Sequence, residues 1–164
     1  MDYVVGIGGY AVSGRPEDVI KTFALSTCVG LVYYSVRRQC MGMAHIQLPS
    51  AHSGNKGDKP SRFADVAPGF LLSEMTKKFS ILKSELRISL FGGIEPRLAG
   101  DCFRIGEKNL DVVRTVLRQL GMTYSDMDTG GQVSRTLVAN VGNGLVEVIR
   151  RPMAMPRGVS ASRV

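Results

Sequence analysis

Hydrophobic and polar positions change period along this chain, and the expected elements follow the change. Residues 3–7 alternate weakly and read as an opening strand, with a polar turn around Ser13 to Asp18 behind them. Residues 20–25 form a second short apolar run. Residues 29–36 are rich in Val and Tyr, the composition of a buried strand. Arg37-Arg38-Gln39 then supplies a turn, and residues 40–48 return as the second arm of a hairpin closing at Pro49. Residues 50–62 have turn composition throughout and read as a flexible surface loop. From Phe63 the period becomes helical. Phe70, Leu71, Met75 and Phe79 predict a helix over 68–82, with Pro68 suited to its first turn. Residues 86–91 return to strand and end at Gly92-Gly93. Leu110, Val113, Leu117 and Leu120 mark a second helix over 107–120, closed by Gly121. Residues 136–141 and 145–149 flank Gly142-Asn143-Gly144, a hairpin signal. Helices mixed with antiparallel hairpins imply an α/β or α+β fold with a mixed sheet.

The chain's 164 residues suit one domain, expected over 1–150, with 151–164 as a disordered basic tail. An apolar fraction of 44% excludes disorder of the whole chain. No apolar stretch approaches the roughly 20 residues that span a bilayer, so membrane insertion is not expected. Asp2 stands where an export signal carries Lys or Arg, and Gly8-Gly9 break the apolar run, so the expected compartment is the cytoplasm. Three cysteines, Cys28, Cys40 and Cys102, are an odd number without CxxC spacing, which argues against a zinc site or a disulfide framework. The net charge of +7 would suit an acidic partner surface. Four of those charges lie between Arg150 and Val164, at Arg150, Arg151, Arg157 and Arg163, and no basic helix with interleaved aromatics accompanies them. Nucleic acid is therefore not the expected partner.

Chemistry-bearing residues are few. Gly6, Gly8 and Gly9 fall short of a dinucleotide fingerprint, since Ala11 occupies the third glycine position, and they read as a turn. Neither GxxxxGK[ST] nor GxSxG is present. Of the two histidines, His52 lies in the polar loop, whereas His45 lies on the second hairpin arm. Cys28 sits at the mouth of the first arm, so the two can meet across the sheet as thiol catalysis requires. A nearby imidazole would hold the thiol as thiolate near neutral pH. Thr22 and Ser26, just upstream, could orient the ring. On residues alone the alternatives stay open: Cys28 as a small buried hydrophobe, and His45 as a structural histidine.

The segments Thr22-Phe23-Ala24-Leu25-Ser26-Thr27-Cys28-Val29-Gly30-Leu31 and Met41-Gly42-Met43-Ala44-His45-Ile46-Gln47-Leu48-Pro49 resemble the CheD family of chemoreceptor glutamine deamidases. Phe91-Gly92-Gly93, Ile105-Gly106-Glu107-Lys108-Asn109 and Asp128-Thr129-Gly130-Gly131 with Arg135 continue the likeness in the family's order over most of residues 1–150. The resemblance implies layered mixed sheets flanked by helices, similar to the cytotoxic necrotising factor-like cysteine hydrolases. It implies a catalytic Cys28, His45 and Thr22 acting without metal or cofactor. Thiolate Cys28 would attack a glutamine amide, protonated His45 would serve the leaving ammonia, and Thr22 would orient the ring. The implied substrates are methyl-accepting chemotaxis receptors, and the implied partner is the phosphatase CheC. A regulatory module acting through CheC, or a hydrolase of another protein amide, would share these residues. Ser26-Thr27 stand where the family usually has Gly-Ser, which makes the backbone before the nucleophile a point for the structure.

Overall fold

The computed structural model describes residues 1–51, 59–95 and 103–153. Among the described residues, nine strands and two α-helices form two sheets and a helical layer. The strands are β1 (Asp2–Val4), β2 (Tyr10–Ser13), β3 (Val19–Leu25), β4 (Val29–Ser35), β5 (Cys40–Ile46), β6 (Leu86–Gly92), β7 (Ser125–Thr129), β8 (Val133–Asn140) and β9 (Val146–Pro152). The helices are α1 (Ala67–Phe79) and α2 (Ile105–Gln119). One sheet has the order β1-β3-β8-β9 and the other β2-β5-β4-β6-β7, each containing parallel and antiparallel pairs. This is the layered α/β architecture expected from the sequence.

The five-stranded sheet is covered on both faces, which is why β4 and β5 are buried at every residue. Val29, Leu31, Tyr33, Ala44 and Ile46 face Leu71 and Met75 of α1 and Val113 and Leu117 of α2. The alternate residues Val32, Tyr34, Met41 and Met43 face Ile20, Leu137 and Ala139 of the other sheet. Each buried Val, Leu, Ile or Met side chain among them contributes about 1.5–3 kcal/mol. The edges of the two sheets are joined by charge. Arg135 on β8, 3% exposed, holds Asp128 of β7 at 3.1 Å, and Arg150 on β9 reaches the same carboxylate at 2.5 Å.

Several boundaries differ from the sequence reading. Helix α1 stops at Phe79 rather than 82, because Ser80 turns left-handed at φ 51°. Strands β2 and β7 were not expected: Ser125–Thr129 is too polar to alternate, and it is a strand because its backbone pairs with β6 at the sheet edge. Strand β9 runs through Pro152, so Arg150 and Arg151 belong to the sheet, and Arg150 is an ion-pair member rather than part of a loose tail. Residues 154–164 of that tail lie outside the described residues, as do residues 52–58 of the long loop; Pro60–Arg62 form a 3-10 turn. No helix among the described residues is long and apolar enough to cross a membrane.

Candidate active site

Three elements converge where the β4–β5 hairpin opens. His45 lies opposite Gly30 in the antiparallel β4–β5 register, and Cys28 is two residues before Gly30. Period-two alternation therefore puts both side chains on the face turned toward the four-stranded sheet, where Cys28, Met41 and Met43 pack. Such diagonal cross-strand neighbours have Cα atoms about 7–8 Å apart, within reach of extended side chains. Thr22 comes from β3 of the facing sheet. Immediately after it β3 slips register against β8 between Thr22 and Leu25, with Ala24 left-handed at φ 55°. The bulge redirects the chain into the short Ser26–Cys28 turn.

Thr22 Oγ1 lies 2.7 Å from His45 Nδ1 and donates to the Val5 carbonyl at 2.7 Å. A hydroxyl has one proton, so with that proton on Val5 the imidazole must donate from Nδ1. This proton count assigns the tautomer and leaves the lone pair on Nε2. Nε2 is buried and has no hydrogen-bond partner. A buried ring nitrogen without a donor is a base awaiting one. The backbone of His45 is fixed as firmly, since its N–H donates to Gly9 and its carbonyl accepts from Gly8. The glycines near the N-terminus thus line the strand that carries His45.

Burial sets the protonation states. His45 is 1% exposed, and withdrawal from water lowers its pKa to about 4, outweighing the opposing effect of the Val5 backbone. Cys28 is 7% exposed, and burial raises its thiol above the ordinary value. Burial thus works against the charged form of each group, and so against the thiolate–imidazolium pair expected from sequence, because both charged forms lose hydration.

The turn before β4 is held by its carbonyls. Ser26 accepts from the Ile94 N–H and Cys28 from the Gly93 N–H, both at 2.9 Å. Thr27 accepts from the Asn109 side chain at 2.9 Å. Gly92 must be glycine here: φ is 85°, and a Cβ would strike the Cys28 carbonyl. Ser26 and Thr27 have no positive φ, so the departure from Gly-Ser demands no glycine geometry. Among the described residues no acceptor takes the Cys28 N–H. The Asp128–Gly131 motif is scaffold for this turn, as Gly130 donates to Gly92 and Gly131 accepts from Glu95.

Thr22 and His45 are thus hydrogen-bonded to each other, and Cys28 lies on the same face of the sheet as His45. Cys40 lies elsewhere: it is buried at the turn end of the hairpin on the helix-facing side. Cys102 and His52 lie outside the described residues. The Val5 carbonyl and Asn109 were given no role from sequence. A backbone acceptor leaves no sequence signal, whereas Asn109 was visible within the Ile105–Asn109 motif. A cavity of about 410 Å³ opens beyond the end of β5, between Leu48, Pro49, Ser50, Phe63 and Ile105, with Arg62 and Lys108 on its wall.

A model of the CheD family, described as CheD chemotactic sensory transduction, matches residues 47–150. A protein of Syntrophotalea carbinolica named "Probable chemoreceptor glutamine deamidase CheD" is 35% identical over 150 residues, covering 90% of this chain and 93% of its own length. One of the same name from Pyrococcus horikoshii is 35% identical over 147 residues, covering 88% and 89%. Another, from Archaeoglobus fulgidus, is 30% identical over 153 residues, covering 91% and 94%. With likeness along nearly its whole length and the family's motifs assembled around one turn, this chain belongs to the CheD family.

Proposed function

We propose that this chain hydrolyses glutamine side-chain amides on methyl-accepting chemotaxis receptors, with Cys28 as nucleophile, His45 as base and acid, and Thr22 orienting the ring. The observation that carries the mechanism is the buried, partnerless Nε2 of His45, its tautomer set through Thr22, on the face that also bears Cys28. As Sγ attacks the amide carbon, Nε2 takes the thiol proton, so neither group carries charge in the resting protein. The tetrahedral oxyanion requires donors already in place, and the unengaged Cys28 N–H supplies one. His45 then passes its proton to the leaving nitrogen, releasing ammonia and a thioester. Water attacks the thioester, Nε2 accepts its proton, and collapse yields glutamate and the thiol. The cavity beyond the end of β5, largely apolar with two cationic side chains, suits an amphipathic, acidic stretch of receptor. Receptor cytoplasmic regions as substrate place the work in the cytoplasm, and CheC is the second partner the family likeness suggests.

Incubation with receptor cytoplasmic fragments, followed by peptide mass mapping, should show glutamines gaining about 1 Da. The same fragments should stay unchanged with Cys28→Ala or His45→Ala. Conversion that persists in either folded variant would remove the mechanism.

A further inference from the structure

Asn109 has no assigned part in the reaction, yet its side chain grips the segments next to both Cys28 and His45. It lies on α2, fully buried, and its Nδ2 donates to the Thr27 carbonyl at 2.9 Å and to the Gln47 carbonyl at 3.0 Å. Thr27 immediately precedes Cys28, and Gln47 follows His45 by two residues. The β4–β5 register ends at Val29↔Ile46, so Asn109 bridges the two chains where the ladder has stopped. Its orientation is not arbitrary. Two carbonyls require the NH₂ end, and the Oδ1 end is left buried without a donor. An amide kept in place with one end unsatisfied marks a position whose two donors are needed. The helix can come this close because Gly106, one turn earlier, has no Cβ to strike the Ile94 carbonyl.

The carbonyl of Thr27 and the N–H of Cys28 belong to one peptide unit. That unit is trans, so the two groups point in opposite directions. Holding the carbonyl against α2 aims the Cys28 N–H away from the helix, where no described acceptor takes it. We propose that Asn109 is a positioning residue for the oxyanion hole: by fixing the Thr27–Cys28 peptide it presents the Cys28 N–H to the oxygen that becomes negative when Sγ attacks a carbonyl carbon. Its second donor, on Gln47, keeps the His45 strand in register with that peptide. The inference rests on the thiol mechanism proposed above, but it applies to any acyl group that Cys28 attacks.

The test separates two reactions of the same thiol, each followed at Cys28 by peptide mass analysis. Acylation by p-nitrophenyl acetate passes through an oxyanion, whereas alkylation by iodoacetamide does not. Asn109→Ala should slow acylation about tenfold or more while leaving alkylation within about twofold. With receptor fragments, kcat should fall by a similar factor and KM should stay within about twofold. Should Asn109→Ala fail to fold, Asn109→Ser, which retains a short donor, carries the same comparison. Unchanged acylation in a folded variant overturns the proposal, and so does a parallel loss of acylation and alkylation, which would mean only that the thiol has moved. Selective loss of acylation in a protein that converts no receptor glutamine would retain Asn109's role while removing the deamidase reading.

Discussion

The two ends of the β4–β5 hairpin each hold a buried cysteine, and they differ in everything except burial. At the turn end Cys40 packs among aliphatic and aromatic side chains toward the helices, and burial pushes its thiol up to about 11. At the open end Cys28 shares its face with His45, follows a turn whose three carbonyls are tied down, and keeps an unengaged N–H. Burial raises both thiols. What distinguishes a candidate nucleophile from core filling is therefore neither exposure nor a lowered resting pKa. It is a base with a free lone pair and donors aimed by the backbone, groups that act only once a reaction begins to develop charge.

The sharpest way to break that comparison is to exchange the two cysteines' roles. Cys28→Ser should cost at least a thousandfold in deamidation rate, since serine is a far weaker nucleophile beside an unchanged imidazole. Cys40→Ala should lower stability while leaving the rate within about twofold. Equal losses of rate in the two variants would erase the distinction between the hairpin ends.

A second measurement tests the neutral state of the open end. The unfolded chain's histidine titrates near 6.5, whereas folded His45 titrates near 4. As pH falls below about 6.5 the unfolded state takes up a proton that the folded state refuses. The stability associated with neutral His45 is thus fully present above that pH, is lost on the way down to about 4, and then levels. The span corresponds to an order of 3 kcal/mol. Chemical unfolding at pH 7 and pH 4.5 should show that loss in the wild type and a smaller one in His45→Gln. Identical pH dependence in both would place a charged histidine in the folded site. The rate of deamidation should have its acid limb near pH 4, where Nε2 becomes protonated.

Thr22→Val keeps the shape of the side chain but removes the oxygen that accepts from Nδ1. A buried donor left unpaired costs about 1–3 kcal/mol, enough to disturb ring orientation and slow turnover about tenfold or more. A wild-type rate in a folded Thr22→Val protein would assign the orienting role elsewhere. The smallest effect concerns backbone strain, which both ends carry: Ala24 at φ 55° leads into the open end and Gln39 at φ 45° lies in the turn. Glycine relieves left-handed strain of about 1 kcal/mol but adds unfolded-state entropy of nearly the same size. Denaturant midpoints of Ala24→Gly and Gln39→Gly should therefore each move by about 0.5 kcal/mol or less. A large loss for Ala24→Gly alone would mean that the bulge before Cys28 needs its methyl group.

How far the chain could be read by itself follows the range of the interactions involved. Strong local signals survived into the structure: the Val- and Tyr-rich arm that became β4, the turn after it, the helical period of α1 and α2, and Gly121 closing α2 at φ 68°. These need only neighbours within a few residues. Strand β7 was invisible, because Ser125–Thr129 owes its strand to the backbone of β6, which lies more than thirty residues away in the chain. Residue types and order were enough to single out Thr22, Cys28 and His45 through a family likeness, but not their protonation, since burial and hydrogen-bond counting exist only once three elements meet. The same holds for Asn109 and the Val5 carbonyl. One is a helix residue, the other a main-chain oxygen, and neither has a function until folding sets it against a turn or a strand distant in sequence. Sequence determined which groups this protein has for its chemistry; tertiary structure decided which of them are charged, which are held, and in what direction they point.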